Sequence, residues 1–548
     1  MKKIIVLFTA LIALSGCLKD RTLTDYKDII LPVLNNPEKN PDMLIENYEY
    51  LRANGQVLKL TPDILYEGDD ELAFRWVING KDITPENRSE DPKNLDWVVN
   101  LTGDAVGALY VTRVHAQNDV IFKFMIKLDR PFQRGFVIVA DNNGIQYNLL
   151  QEIRGKRGME YKSHPGIMTT GTPGENWVGC PEFWAPEAWN GMSKDKTGHM
   201  LHLTTDVQSS FSVDELSMSS RTPLQDEFFE GTLPEGVNSF RSVAYGGYVS
   251  YLLGDNNKLY ERIGGDGFYT GKYMSALPVQ YEGKDLVISD LLATPYKAGI
   301  ILAREKETDT FYAITNAFPS GPNQKAGKVS KLPVSDKHPE DLNTFKGEDI
   351  VYSRLLLPSM IMYPYGETPF VLFMVTKNRE TNEYSVSEYH IEMASNGVVA
   401  WTDAVYTRAA LPGFGENSCV IPLEVKYDGM SPSPFYYTDS ADPTRLMVAK
   451  RTSSGPTQIK EYHQFESPVV SMDVGACGSS SGTFGVVLEN GTAHVLTVTT
   501  KTAYDYVAPN PTDEKVKPTI KYTWENIEGK ILKIDFRYGD MGNYHPTY

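Results

Sequence analysis

The sequence predicts an all-β protein in two parts, an N-terminal Ig-like β-sandwich followed by a β-propeller of about seven blades. Three observations predict it. Apolar residues alternate with polar ones over short runs, and few stretches carry the 3.6-residue period of a helix. Turn formers are abundant, with 44 glycines and 33 prolines in 548 residues. Beyond residue 131 a unit of strand, polar turn and second strand recurs at spacings of roughly 50 to 70 residues, the sign of a repeat architecture.

The chain opens MKKIIVLFTALIALSGCLKDR. Lys2 and Lys3 form a positive patch ahead of the apolar run Ile4 to Leu14. That run is too short to span a bilayer, which takes about 20 residues, and it suits the hydrophobic region of a signal peptide. Leu14-Ser15-Gly16-Cys17 resembles the bacterial lipobox. The resemblance implies cleavage after residue 16 and acylation of Cys17, whose several acyl chains would anchor the protein stably where one is marginal. A plain secretory signal with an incidental cysteine is the alternative. Removal of residues 1–16 would take the formal charge from -17 to -19 through loss of Lys2 and Lys3. No later segment is apolar enough to cross a membrane, so the expectation is an outer-membrane lipoprotein held by lipid alone. An acidic chain without a basic cluster argues against nucleic acid, whose binding rests on Lys and Arg against phosphate. Leu18-Lys19-Asp20-Arg21 weakly resembles the acidic surface-export signals of Bacteroidetes lipoproteins, which would place the protein on the cell exterior.

Residues 17–47 read as a lipidated tether with little core. The sandwich is expected over 48–130. Gln56 to Leu60 reads as a strand, and Glu67 to Glu71 as an acidic turn with a weaker reading as a Ca²⁺ loop. In Leu72 to Ile78, Phe74, Trp76 and Ile78 share a face, and Asn79-Gly80 turns the chain. Leu109 to Val114 and the alternation Val120, Phe122, Phe124, Ile126, Leu128 supply further strands. Several short strands around a buried-looking Trp suggest the Ig-like sandwich.

The propeller is expected over 131–548. Its polar turns fall near residues 142, 206, 255, 307, 379, 441 and 490. Seven four-stranded units bury their faces against one another and leave only short edges. The last alternating run, Ile531 to Tyr538, is placed to close the ring with the first blade.

The order of lipobox, FRWVINGKDI, RPFQRGFVIVADNNGIQYNLL and the ending GKILKIDFRY resembles the PKD-like family lipoproteins of Bacteroidetes. That resemblance implies a PKD-like sandwich before the propeller and a setting beside SusC/SusD-type outer-membrane importers. It carries over no catalytic residue.

The segment Trp177 to Trp189 concentrates aromatics among Pro and Gly. Trp177, Phe183, Trp184 and Trp189 are the candidate ligand-binding residues, since sugar rings and peptide side chains stack on such surfaces. Packing inside the propeller is the competing role. FWAPE within it resembles a motif of five-bladed glycoside hydrolases, which implies Glu182 and Glu187 as candidate carboxylates; the rest of that pattern is missing. Phe435-Tyr436-Tyr437 and Tyr363-Pro364-Tyr365 carry the same choice between platform and core. His199 and His202 point to opposite faces of a strand, which argues against a metal site there. No CxxC, GxSxG, HExxH or phosphate-loop pattern appears, and neither cofactor nor metal is expected. Cys180, Cys419 and Cys477 leave an odd thiol; a Cys419–Cys477 bridge and buried free cysteines are both open. Asp439-Ser440-Ala441 fits a short O-glycosylation consensus of Bacteroidetes exported proteins.

Three functions follow as expectations. The first is a non-enzymatic, surface-exposed accessory protein that captures an oligopeptide or glycan for a SusC/SusD-like importer. The second is a propeller glycosidase using Glu182 or Glu187. The third is a structural subunit that binds protein partners and no nutrient.

Overall fold

The computed structural model describes residues 29–35, 40, 42–53, 55–101, 104–128, 132, 134–155, 158–171, 177–179, 183–184, 199–214, 218, 221–245, 249–263, 276–292, 300–315, 328–332, 345, 347–356, 370–393, 399–423, 434–452, 454–477, 481–499 and 519–537. These residues are almost entirely strands and turns. They fall into two compact units, the first ending at Leu128.

The first unit is a β-sandwich. Its main sheet runs in the order Glu49–Arg52, Asn118–Leu128, Ala105–Arg113, Leu72–Ile78, Lys81–Asp82. Glu49–Arg52 lies parallel to its neighbour and the other pairs are antiparallel. Two short ladders complete the unit, Val57–Leu60 with Leu95–Val98 and Val33–Leu34 with Ile64–Leu65. Period-2 patterning sets what is buried: Trp76, Ile78, Leu109, Val111, Phe124 and Ile126 of the large sheet, and Leu58, Leu60, Leu95 and Trp97 of the small one. The Trp76 indole N–H donates to the carbonyl of Pro92 at 3.3 Å, so its polar end is satisfied in the core. Asn79 and Gly80 have φ of 46° and 81°, the conformation a two-residue type I′ hairpin requires.

The second unit is a seven-bladed β-propeller, each blade a meander whose strands we letter A to D in spatial order. Blade 1 takes its A strand from the C-terminal end of the chain, Lys530–Arg537, followed by Gly135–Asp141, Ile145–Gly155 and Gly158–Thr169. Blade 2 has a split A position, Trp177–Gly179 and Phe183–Trp184, both paired with His199–Thr204, then Phe211–Asp214 and Arg221–Pro223. Blade 3 comprises Phe240–Tyr245, Val249–Gly254 and Leu259–Ile263, and a small hairpin, Gln280–Tyr281 with Lys284–Asp285, stands in the fourth position. The Val279 N–H ties that hairpin to the carbonyl of Leu259 at 2.8 Å. Blade 4 is Ile288–Leu292, Ile300–Glu305, Phe311–Thr315, Lys328–Lys331. Blade 5 is Glu348–Leu356, Phe370–Asn378, Tyr384–Met393, Val399–Ala410. Blade 6 is Val420–Pro422, Phe435–Thr438, Arg445–Thr452, Gly455–Gln464. Blade 7 is Val469–Cys477, Ser481–Leu488, Ala493–Thr499, Thr519–Trp524. A strands of successive blades approach one another around the ring, as Phe240–Tyr245 does Ile288–Leu292 and Val469–Cys477 does Lys530–Arg537, so the A strands lie innermost.

The seven turns expected from sequence are the seven B–C turns, one per blade. Lys530–Arg537 runs antiparallel to Gly135–Asp141, with Phe536 opposite Phe136 and Ile534 opposite Ile138. The ring is thereby closed by hydrogen bonds between the two ends of the propeller sequence, and no inner edge strand is left at the seam.

The apolar clusters straddle consecutive blades. One joins blades 1, 2 and 3, and others join blades 3 and 4, 4 and 5, 5 and 6, 6 and 7, and, through Phe136, Ile534, Phe536, Val487 and Val495, 7 and 1. Burial between blades is the main stabilising term, since each sheet hides both faces against its neighbours. Two polar ties cross the same interfaces, and a third joins the A strands of two blades that are not neighbours in the ring. Arg304 of blade 4 donates to the carbonyls of Phe345 and Glu348 at 2.6 and 2.9 Å. Arg451 of blade 6 grips Glu388 of blade 5 with two hydrogen bonds, at 2.6 and 2.7 Å, and the Tyr406 hydroxyl donates to the same carboxylate. Arg354 on the A strand of blade 5 pairs with Asp473 on that of blade 7 at 3.3 Å.

Candidate functional site

In a four-stranded meander the B–C turns and D–A links leave one end of the blade, and the A–B and C–D connections leave the other. The B–C turns are short, as in Asp141 to Ile145 and Leu488 to Ala493, with one short 3-10 turn, Val207–Ser209, in that of blade 2, while the D–A links at the same end include the longer stretches 224–239 and 332–347. The A–B and C–D connections include the segments 185–198, 264–275, 316–327, 357–369, 424–433 and 500–518, which lie outside the described residues. The aromatic candidates belong to the A–B connection of blade 2.

The strand His199–Thr204 separates those candidates. Trp177 pairs with Thr204 at its B–C end, and Trp184 pairs with His199 at the opposite end. Five residues of strand put the two backbones about 16 Å apart. Trp177 is partly buried and packs on the cluster of blades 1 to 3. Its indole N–H is shielded and meets no acceptor among the described residues. Its partly buried ring contributes to the packing of blade 2. Phe183 and Trp184 are described as strand backbone alone. Trp189, Glu182, Glu187, Cys180 and Cys17 lie outside the described residues.

His202, three residues from His199, turns into the interface between blades 1 and 2 and is fully buried. Its Nδ1 lies 2.6 Å from the Tyr147 hydroxyl, and its ring stacks on Phe211 with centroids 4.7 Å apart. Nε2 has no hydrogen-bond partner among the described residues. Burial, with the positive Arg221 nearby, lowers its pKa to about 4, so the imidazole is neutral at physiological pH. Sequence patterning did not single out this dyad, because Tyr147 and His202 stand on different blades and each looks like any alternating strand residue.

Other candidates resolve as structure. Phe435, Tyr436 and Tyr437 are buried in the interfaces around blade 6, so they are core and not platform. The Asp70 carboxylate of the acidic turn accepts hydrogen bonds from the N–H groups of His115 and Ala116, each at 3.0 Å, which hold its pKa down at about 2. Asp70 thus caps a turn instead of awaiting Ca²⁺, and among the described residues no cluster of His, Cys, Asp or Glu could hold a metal ion. Cys419 is a free thiol whose pKa burial pushes up to about 12, and its Sγ donates to the carbonyl of Val470 at 3.4 Å; no bridge to Cys477 forms. Ser440 is exposed on the B–C turn of blade 6. Among the described residues no helix is long and apolar enough to cross a membrane.

No protein-family model matches the chain, and no curated protein matches it. Solved structures similar to it include a quinoprotein alcohol dehydrogenase-like protein from Bacteroides thetaiotaomicron, 11% identical with a TM-score of 0.36, covering 93% of this chain and 100% of that one. Human WBSCR16 is 8% identical with a TM-score of 0.32, covering 71% and 94%. The computationally designed Ika8 protein is 8% identical with a TM-score of 0.33, covering 75% and 95%. The sheet order and ring closure, independent of these distant likenesses, define the class: an all-β chain with a β-sandwich followed by a seven-bladed β-propeller. Seven blades, not five, also separate it from the five-bladed hydrolases that FWAPE resembles.

Proposed function

We propose that this protein is a non-enzymatic lipoprotein, anchored through Cys17 to the outer membrane and facing the cell exterior, that captures an oligopeptide or glycan for a SusC/SusD-like importer. The observation that carries the reading is the asymmetry of the propeller. The B–C turns are all short, whereas several A–B and C–D connections at the opposite end are long, among them the segment with Phe183, Trp184 and Trp189, although the D–A links 224–239 and 332–347 are long as well. Recognition concentrates on long loops held by a rigid scaffold, and a closed ring is such a scaffold. The binding residues in this reading are Phe183, Trp184 and Trp189, with Trp177 as their structural root.

The test is a pull-down from cells carrying a tag at Tyr548, with mass spectrometry of the co-purified material. Recovery of a large outer-membrane barrel with its lipoprotein lid supports the importer role, and small molecules in that complex identify the nutrient. Recovery of protein partners with no ligand, and unchanged partner binding by Trp184→Ala, favours a structural subunit. Hydrolysis of any glycan that Glu187→Gln abolishes would overturn the non-enzymatic reading.

A further inference from the structure

The N-terminal edge of the sandwich carries a built apolar stripe. Residues Ile29 to Asn35 are pinned to the unit at three points. Arg113 Nη1 donates to the carbonyl of Ile30 at 3.1 Å, the Asn35 side chain donates to the Asp63 carboxylate at 2.7 Å, and Val33–Leu34 pairs with Ile64–Leu65. Pro32 is buried between Leu31 and Val33, which point outward. Val33 stands directly opposite Leu65 in the ladder, so their side chains share a face. Ile29, Leu31, Val33 and Leu65 are 68%, 46%, 58% and 54% exposed. A stripe of four large aliphatic side chains held open to water on a fixed backbone calls for a partner.

We propose that this stripe lies against the lipid bilayer that holds Cys17, so that the sandwich is seated on the membrane instead of hanging from a free tether. The inference rests on the lipid-anchor reading above. Its independent support is the position and chemistry of the stripe. Ile29 follows Cys17 by twelve residues, a chain length that reaches at most about 43 Å and, if flexible, about 19 Å on average. A bilayer tethered that close is the apolar phase with the highest effective concentration at this surface. Residues 29–35 and 61–66 contain no Lys or Arg, and Arg113 beside them is hydrogen-bonded to the Ile30 carbonyl and the Asn118 side chain, so the contact is mainly apolar insertion into the interface and not attraction to anionic headgroups. Its dependence on salt is therefore weak.

The experiment uses the full chain, isolated in its lipidated form and reconstituted into vesicles of phosphatidylethanolamine and phosphatidylglycerol. The photoreactive residue p-benzoylphenylalanine replaces Val33, Leu65 or, as control, Lys81. Lys81 follows the hairpin at Ile78, at the far end of the strand whose Leu72 pairs with Arg113, about 20 Å away. The expected result is an acylated N-terminal peptide, with lipid adducts at 33 and 65 at least about tenfold above those at 81 and unchanged between low and high salt. Leu31→Asp, at an exposed position, is expected to cut the adducts at 65 several-fold. An acylated Cys17 with equal or absent adducts at the three positions would overturn the seated stripe and leave the anchor standing. An N-terminal peptide without acyl mass would overturn the anchor and the seating together.

Discussion

Phe536→Ala tests whether the propeller depends on its seam. Phe536 is 5% exposed on the closing strand and meets the fully buried Phe136 edge to face, with centroids 4.8 Å apart. The Arg134 guanidinium covers the other side of the ring, 5.6 Å from its centroid. Truncating a buried Phe to Ala costs about 3 to 5 kcal/mol, and that range already contains most of the pairing terms. The walls of the site cannot collapse easily. A Cβ on Gly485 would already lie 2.7 Å from Phe136, so that strand is as near as it can come, and the lost ring leaves a cavity. About 4 kcal/mol is therefore the expected loss. Equilibrium urea unfolding, followed by tryptophan fluorescence, reads it as a lower midpoint at unchanged slope. Hydrogen exchange adds the location: amides of Gly135–Asp141 and Lys530–Arg537 lose protection together with those of blade 7, because both ends of the ring share one cluster. A loss below about 1 kcal/mol, or exchange confined to residues 530–537, would refute the claim that closure holds the ring.

Gly485→Ala should destabilise by overpacking, about 1 to 3 kcal/mol, since its Cβ would fall 2.6 Å from Ile534 and 2.7 Å from Phe136; a neutral thermal melt would contradict the tight seam. His202 binds its proton less readily folded, at about 4, than unfolded, at 6.5. The unfolded chain therefore holds more protons between those values, and stability falls as pH drops from 6.5 to 4, by about 3 kcal/mol for this one group. His202→Gln should flatten the denaturation-midpoint profile in that window, and an unchanged profile would show that the imidazole is not buried neutral. Arg451→Met should cost about 3 to 5 kcal/mol by stranding the Glu388 carboxylate, whereas Glu388→Leu with Arg451→Met should recover most of it; additive losses in the double-mutant cycle would deny the coupling.

The blade repeat was legible because the B–C turn is a local event. Asp141-Asn142-Asn143-Gly144 and Glu489-Asn490-Gly491 announce themselves by residue type, and both contain glycines with positive φ, at Gly144 and Gly491. Chain closure was legible for a different reason: Lys530–Arg537 alternates like a strand after the last of the seven turns. The split A position of blade 2 was not legible, because Trp177-Val178-Gly179 and Phe183-Trp184 form strands only by pairing with His199–Thr204, which follows fifteen residues after Trp184. The hairpin Gln280 to Asp285, standing in for a fourth strand in blade 3, carries no alternation long enough to see.

The candidate site was half legible, for a reason rooted in what aromatics do. A Trp beside a strand reads alike whether it plugs an interface or faces a ligand, and only register separates the two. Trp177 aligned with Thr204 belongs to the cluster of blades 1 to 3; Trp184 aligned with His199 stands where the long connections begin. The polar ties were invisible for a related reason. Arg304, Arg354 and Arg451 occupy alternating strand positions that a sandwich would send to solvent, but a propeller buries both faces of every blade, so its cations must find acceptors across an interface. Arg451 finds Glu388, Arg354 finds Asp473, and Arg304 finds two carbonyls besides Asp309 on its own blade. The architecture thus turns ordinary surface-type residues into blade-to-blade clamps. In such a ring, variation concentrated in the long A–B and C–D connections leaves the clamps intact, and a binding face can change its ligand without loosening the scaffold.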